Sequence, residues 1–347
     1  MSASKGLVIL YEDLSDRWIQ WAKEAGLTHI GVHKIAIPGT FAMQALVDAL
    51  EQPGGRRQIQ KLEKAGITME YELHSLEWLL PRDMFPGNEN LFRMNADGVR
   101  TNDLNFCPSS PEAREVIAEN ARKLAKILDQ SSHRYFLWPD DMINAECHCP
   151  ACRARKISGS DTGIIFANAV AEGLRSYDSQ ASQSYLAYAD AKSIPTEKPA
   201  ENVFLEFAPM DRDHNKPITD PSEKAHRDYV NLLKDLLKIF PVETTQVLEY
   251  WLDNALFSGY KKPPVKVPLN EEVLDADTAF YTGLGIRHIK SFGSYIDEEY
   301  YQLHGEPPHE GLRRHSGQIF GLTRNRISKG AEIFRAFAAS NCSLAYR

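Results

Sequence analysis

The segment RYFLWPDDMINAECHCPACR, Arg134–Arg153, opens on five residues that favour extended backbone, stops at Pro139, and turns at once to two acids and three cysteines. A short apolar run bounded by a proline reads as one buried strand. Its acids then stand at the strand's C-terminal end. Seven other runs share this character: GLVILY from Gly6, HIGVH from His29, TMEYELH from Thr68, SYLAYA from Ser184, NVFLEF from Asn202, TQVLEYW from Thr245 and RHIKSFG from Arg287. Amphipathic segments separate most of them. DRWIQWAKEAGL has Ser15 as N-cap and Gly26 as its stop, and SPEAREVIAENARKLAKILDQ has Ser110 as N-cap and Pro111 at the first helical position. Eight strands alternating with helices predict an α/β fold, the TIM (β/α)8 barrel. The stretch DAKSIPTEKPAEN, between the fifth and sixth strands, is too proline-rich for a full helix and predicts an irregular crossover.

No low-complexity segment or Gly/Ser linker divides the chain, so residues 1–305 are expected to form a single catalytic barrel. The segment GQIFGLTRNRISKGAEIFRAFAAS predicts a C-terminal helical extension, within 306–347, packed on that barrel. With 43% hydrophobic and 25% charged residues, the 347-residue chain has the composition of a soluble globular protein. Its formal charge of −7 disfavours a nucleic-acid partner, which needs a basic face to replace phosphate counterions. No run approaches membrane-spanning length, and Gly6–Tyr11 is shorter than a signal-peptide core, so a cytoplasmic protein without a membrane partner is expected.

In this architecture catalytic groups come from the C-terminal ends of the strands, above a packed interior. The polar and aromatic residues found there are His33, His74, Asp140, Asp141, Tyr188, Glu206, Glu249, Tyr250, Trp251, Asp253, Asn254 and Tyr295. Such a set suits a carbohydrate, whose C–H face packs on aromatic rings while carboxylates, amides and imidazoles bond its hydroxyls. Asp140 and Asp141 are the catalytic candidates and the rest are candidate substrate contacts. Adjacent side chains on a regular strand point to opposite faces, so both acids reach one pocket only if the strand has ended at Pro139. Their mutual repulsion would then raise one apparent pKa. The plainer reading is that one of them caps a helix or binds a loop N–H. Glu206 and Glu249 have a plainer reading too, as partners of a basic residue such as Arg212.

Cys147, Cys149 and Cys152 stand in C-x-C-x-x-C spacing, and tetrahedral zinc wants four ligands. Cys107, in the loop after the third strand, is the expected fourth. Such a site would be a closed, structural zinc site, with no cofactor needed for the chemistry. The alternatives are ordinary buried thiols or a disulfide. Cys342 reads as an ordinary free thiol.

The string RYFLWPDDMINAECHCPACR, with NFCPSSPEAREVIAENARKLAKIL before it and NVFLEFAPMDRDHNKPI and VLEYWLDNALFS after it, resembles the barrel domain first catalogued as a domain of unknown function and later placed in glycoside hydrolase family 163. The resemblance runs from about the first strand to EEYYQLHGEPP. It implies endo-β-N-acetylglucosaminidase activity on N-glycans. FLWPDD is also similar to the fourth-strand end of retaining N-acetylhexosaminidase barrels, where an acid pair works with the substrate's own acetamido group. Carried across, Asp140 would polarise that group, which attacks the anomeric carbon to give an oxazoline, and Asp141 would be the general acid/base. Two rivals remain at this stage: a barrel that binds carbohydrate without cleaving it, and a conventional retaining glycosidase with Glu206 or Glu249 as nucleophile.

Overall fold

The computed structural model describes residues 4–34 and 42–308. Most of the expected C-terminal extension, and Cys342, lie outside the described residues. Eight parallel strands close into a barrel: β1 (Ser4–Leu10), β2 (His29–His33), β3 (Thr68–His74), β4 (Arg134–Trp138), β5 (Ser182–Ala187), β6 (Val203–Phe207), β7 (Gln246–Glu249) and β8 (His288–Phe292). Closure is by β1 against β8, with Ser4 opposite His288. The expected TIM barrel is therefore the fold. β2, β3 and β4 have the bounds their sequence runs suggested. β5 starts two residues early because buried Gln183, a polar residue that hid the start, bonds the Leu137 carbonyl with its side-chain amide (2.6 Å). The crossover to β6 contains no helix.

Helices form where the expected caps are. Ser15 accepts the Trp18 N–H at the start of Asp16–Glu24, and Gly26, at φ 71°, follows its end. Ser110 caps Pro111–Ile127, and Ser158 and Asp161 form a reciprocal capping box on Gly159–Arg175. The last two helices pack so closely that a Cβ on Gly173 would fall 1.9 Å from the Ala118 carbonyl oxygen. Only glycine permits that approach.

Alternation along the strands sorts the core into an outer and an inner part. Leu7, Ile9, Ile30, Val32 and Leu137 belong to the cluster shared with the surrounding helices, while Val8, Phe136, Trp138, Phe204 and Leu248 pack together inside the barrel. The interior is packed as expected, yet partly with charge. Lys290 of β8 donates to both Glu70 and Glu72 of β3, and all three are buried. Burial opposes the Lys290 charge, but the two carboxylates outweigh it and raise its pKa. Gly31 makes room for this group: a Cβ there would lie 2.6 Å from Glu72 Oε1. Removing one partner from such a buried set costs about 3–5 kcal/mol, because it strands an uncompensated charge.

Candidate active site

A cavity of about 520 Å³ opens at the C-terminal ends of the strands. The final residues of β2, β3, β4 and β8, namely His33, His74, Trp138 and Phe292, line its floor, and Tyr188, Tyr250 and Tyr260 add aromatic walls. Tyr250 stacks on Phe292 at 5.4 Å between centroids. Trp138 is buried, and its indole N–H donates to Glu206 Oε2 (2.7 Å).

Both acids reach this cavity. β4 ends at Trp138, so Asp140 and Asp141 are released from strand alternation. Their surroundings differ. Asp140 keeps 14% of its side-chain surface, and its Oδ2 accepts from the Arg82 guanidinium and from the Asn105 N–H (2.6 Å). Its Oδ1 has no protein donor among the described residues. Asn105 sits at φ 48°, a left-handed conformation that asparagine tolerates, and its carbonyl accepts a second Arg82 bond (3.1 Å). Asp141 keeps 51% of its side-chain surface, with Oδ2 4.0 Å from His74 Nε2. The immediate hydrogen-bond partners of Asp140 are thus Arg82 and the Asn105 N–H. Asp140 does bind a loop N–H, and it lines the cavity while doing so.

The loop carrying the acids is pinned from its other side as well. Asp190, after β5, accepts the backbone N–H groups of Asn144 (2.9 Å) and Ala145 (3.0 Å). Each histidine on the floor donates Nδ1–H to a carbonyl, His33 to Glu72 and His74 to Pro139, both at 2.6 Å. A carbonyl can only accept, so Nδ1 carries a proton in each ring and Nε2 faces away from that carbonyl. Burial, aided by His74, pulls His33 down to about 4, which leaves it neutral at pH 7. Burial pushes Asp253 up to about 6 against the weaker pull of backbone N–H donors. Burial and the nearby Asp141 carboxylate push the Tyr188 hydroxyl up.

His33, His74, Tyr188, Tyr250 and Asp253 thus share the cavity with the two acids. The other expected contacts do not line it. Glu206 is fully buried inside the barrel, held by Trp138 and by Gln246 (2.9 Å), and burial, with Glu72 adding, pushes it up to about 8. Glu249 is also fully buried and accepts from Arg212 (3.0 Å) and the Tyr281 hydroxyl (2.5 Å), the plainer pairing anticipated for it. Trp251 donates to Asp277 (2.9 Å), Asn254 donates to the Val265 carbonyl (2.8 Å), and the Tyr295 N–H donates to Asp13 (2.9 Å). Trp251 and Asn254 follow a strand end in sequence but are buried among protein partners, whereas Tyr295 is half-buried with the Lys262 ammonium 5.0 Å from its ring centroid. Conversely, Arg82, Met210, Tyr260 and Phe292 line the cavity and were not singled out. Phe292 is a strand-end residue that the barrel rule reaches; Arg82 lies in an irregular connection with no periodic signal.

Among the described residues no helix is long and apolar enough to cross a membrane. The four cysteines are buried together, their sulfurs within 4.8 Å of one another.

No curated protein sequence matches this chain. Solved structures do. An endo-β-1,4-glucanase from Xanthomonas axonopodis pv. citri superposes with a TM-score of 0.51 at 11% identity, covering 90% of this chain and 99% of that one. A glycoside hydrolase family 20 β-N-acetylglucosaminidase gives 0.48 at 9% identity, covering 91% and 69%. The family 20 modules of the pneumococcal exo-β-D-N-acetylglucosaminidase StrH give 0.44 at 12% identity, covering 99% and 93%. At such identities the likeness is one of fold. Residues 17–305 match a family described as Domain of unknown function (DUF4838), and with the greater part of its length so matched, the chain belongs to that family.

Proposed function

We propose that this protein is a retaining glycoside hydrolase of the family 163 type that cleaves β-N-acetylglucosaminides with help from the substrate's acetamido group. The observation that carries this reading is the asymmetry of two adjacent carboxylates on one aromatic-walled cavity. Asp140 is held by Arg82 and Asn105 through Oδ2, which leaves Oδ1 to accept an acetamido N–H. Asp141 is half-exposed on the same cavity.

In this mechanism Asp140 turns the acetamido carbonyl oxygen toward the anomeric carbon and stabilises the positive charge that grows on the ring it forms. Asp141 gives its proton to the glycosidic oxygen as that bond breaks, then takes a proton from the water that opens the oxazoline. Two inversions give net retention. Pre-positioning by the Arg82 and Asn105 bonds lets Asp140 act without reorganising in the transition state. Neither Glu206 nor Glu249 lines the cavity, which argues against the conventional nucleophile scheme.

Turnover of an aryl N-acetyl-β-glucosaminide is the direct test, paired with the same aryl glucoside lacking the acetamido group. Release from the first and not the second is expected. Binding of the N-acetyl sugar without release would favour the non-catalytic barrel, and equal release from both would remove the acetamido mechanism. The family resemblance makes N-glycans the first natural substrate class to assay.

A further inference from the structure

The connection from β3 to the Pro111–Ile127 helix meets the loop after β4 at four buried thiols. Cys107 Sγ lies 3.7 Å from Cys149 Sγ and 3.9 Å from Cys152 Sγ, and with Cys147 all four sulfurs fall within 4.8 Å of one another. A disulfide would bring two sulfurs to about 2.05 Å. These are instead four free thiols facing a common point. Zinc–sulfur bonds of about 2.3 Å, arranged tetrahedrally, set sulfur–sulfur edges of about 3.8 Å. The Cys107 separations match that edge.

The surroundings suit sulfur that carries charge. The Met94 N–H donates to Cys147 Sγ (3.3 Å) and the Cys152 N–H to Cys149 Sγ (3.5 Å), while an Arg100 guanidinium nitrogen lies 3.9 Å from Cys147 Sγ. Four thiolates on a dication keep two excess negative charges, and such donors offset them. We propose that Cys107, Cys147, Cys149 and Cys152 bind one zinc ion in a closed, structural site. With all four positions filled by protein, it offers none to substrate.

Its place gives it a task. Cys107 is two residues from Asn105, whose N–H holds Asp140, and Cys147 is two residues from Ala145, whose carbonyl accepts the Asn105 side-chain amide (3.1 Å). The ion therefore braces both loops that position Asp140. That consequence rests on the proposed function; the zinc itself does not.

The test uses the full chain carrying Cys342→Ser, which leaves four of the five cysteines. Protein expressed with zinc and purified under reducing conditions should hold about one zinc per chain by mass spectrometry of the metal. Its thiols should resist a disulfide reagent until chelator and denaturant release all four. Adding Cys149→Ser should cut zinc at least about fivefold, because three thiolates leave an open coordination position. Less than about 0.2 zinc per chain in the parent protein, iron in its place, or thiols that react freely in the native state would overturn the assignment. The parent measurement decides even if the Cys149→Ser chain fails to fold. Turnover of the aryl substrate is scored separately, so failure of the zinc proposal and failure of the glycosidase reading are distinguishable.

Discussion

Arg82, early in the connection that follows β3, donates to Oδ2 of Asp140, two residues past the end of β4. The bond joins neighbouring strand-end loops and fixes which oxygen of Asp140 is left to the cavity.

Asp140→Asn should therefore lower kcat by about 10²–10⁴-fold, the range lost when one positioned polar group is removed from a transition state. The loss should be as large with a nitrophenyl leaving group as with a sugar, because ring closure by the acetamido is needed for both. Arg82→Met, which leaves the carboxylate in place but loose, should lower kcat more than it raises KM. A normal rate in Asp140→Asn, measured by steady-state kinetics, would remove the polariser role.

Asp141→Asn should behave differently. Without a proton donor, cleavage of sugar aglycones should fall by about 10²–10⁴-fold, whereas substrates with acidic leaving groups should recover much of the rate. Comparing a series of aryl substrates checks this as a steeper dependence of rate on leaving-group pKa. Undiminished turnover of a disaccharide would end the assignment.

Glu206→Gln should leave turnover within about twofold of the parent, since the side chain touches neither the cavity nor the acids, and substitutions remote from the chemistry usually act through stability alone. With its folded pKa near 8, Glu206 keeps its proton at neutral pH and weighs against the folded state as pH rises from the unfolded value through 8. The glutamine variant is spared this, and once the Gln246 amide turns over, its own amide can donate to Gln246 Oε1, an atom with no partner among the described residues. Its unfolding midpoint should equal or exceed the parent's at pH 9. Loss of activity with a normal fold would revive the nucleophile role.

Asp253→Asn should flatten part of the stability profile. The folded pKa of Asp253, about 6, lies above the unfolded value, so the folded state binds the proton more tightly. Its contribution is present below about pH 4, fades as pH rises through 6, and is absent at pH 8. Asparagine keeps an acceptor for the Leu256 N–H at the helix start and has no proton to lose. Relative to the parent, the variant should gain on the order of 2 kcal/mol at pH 8 and little at pH 4, read by denaturant unfolding at both.

Much of this molecule is legible in its sequence because a barrel strand is a short local signal. RYFLW, HIGVH and TMEYELH announce their own limits, and Ser110-Pro111 announces a helix start. Gln183 shows where the signal fades: a polar side chain inside a buried strand looks like a boundary until its partner at Leu137 is known. The cavity was legible to the same depth. Strand ends pointed to His33, His74, Asp140, Asp141 and Asp253, but the same rule gathered Glu206 and Glu249, which serve buried partners of distant sequence position. Arg82 sits in the irregular stretch before the Pro111–Ile127 helix, 58 residues from Asp140, so only the folded chain reveals that they meet.

The salt-bridged trio of Lys290, Glu70 and Glu72 has a consequence for assembly. β3 and β8 are not neighbours in the sheet; β1 and β2 stand between them, and the charges meet only across the lumen of the closed barrel. An open sheet, or a half-barrel ending after β4, would carry two inward carboxylates without the Lys290 ammonium that bonds them both, leaving the Arg134 guanidinium of β4 to offset them through space alone. The full ion pairing thus comes only with β8, the last of the eight strands in the sequence, so fragments that lack it should be poor folding units.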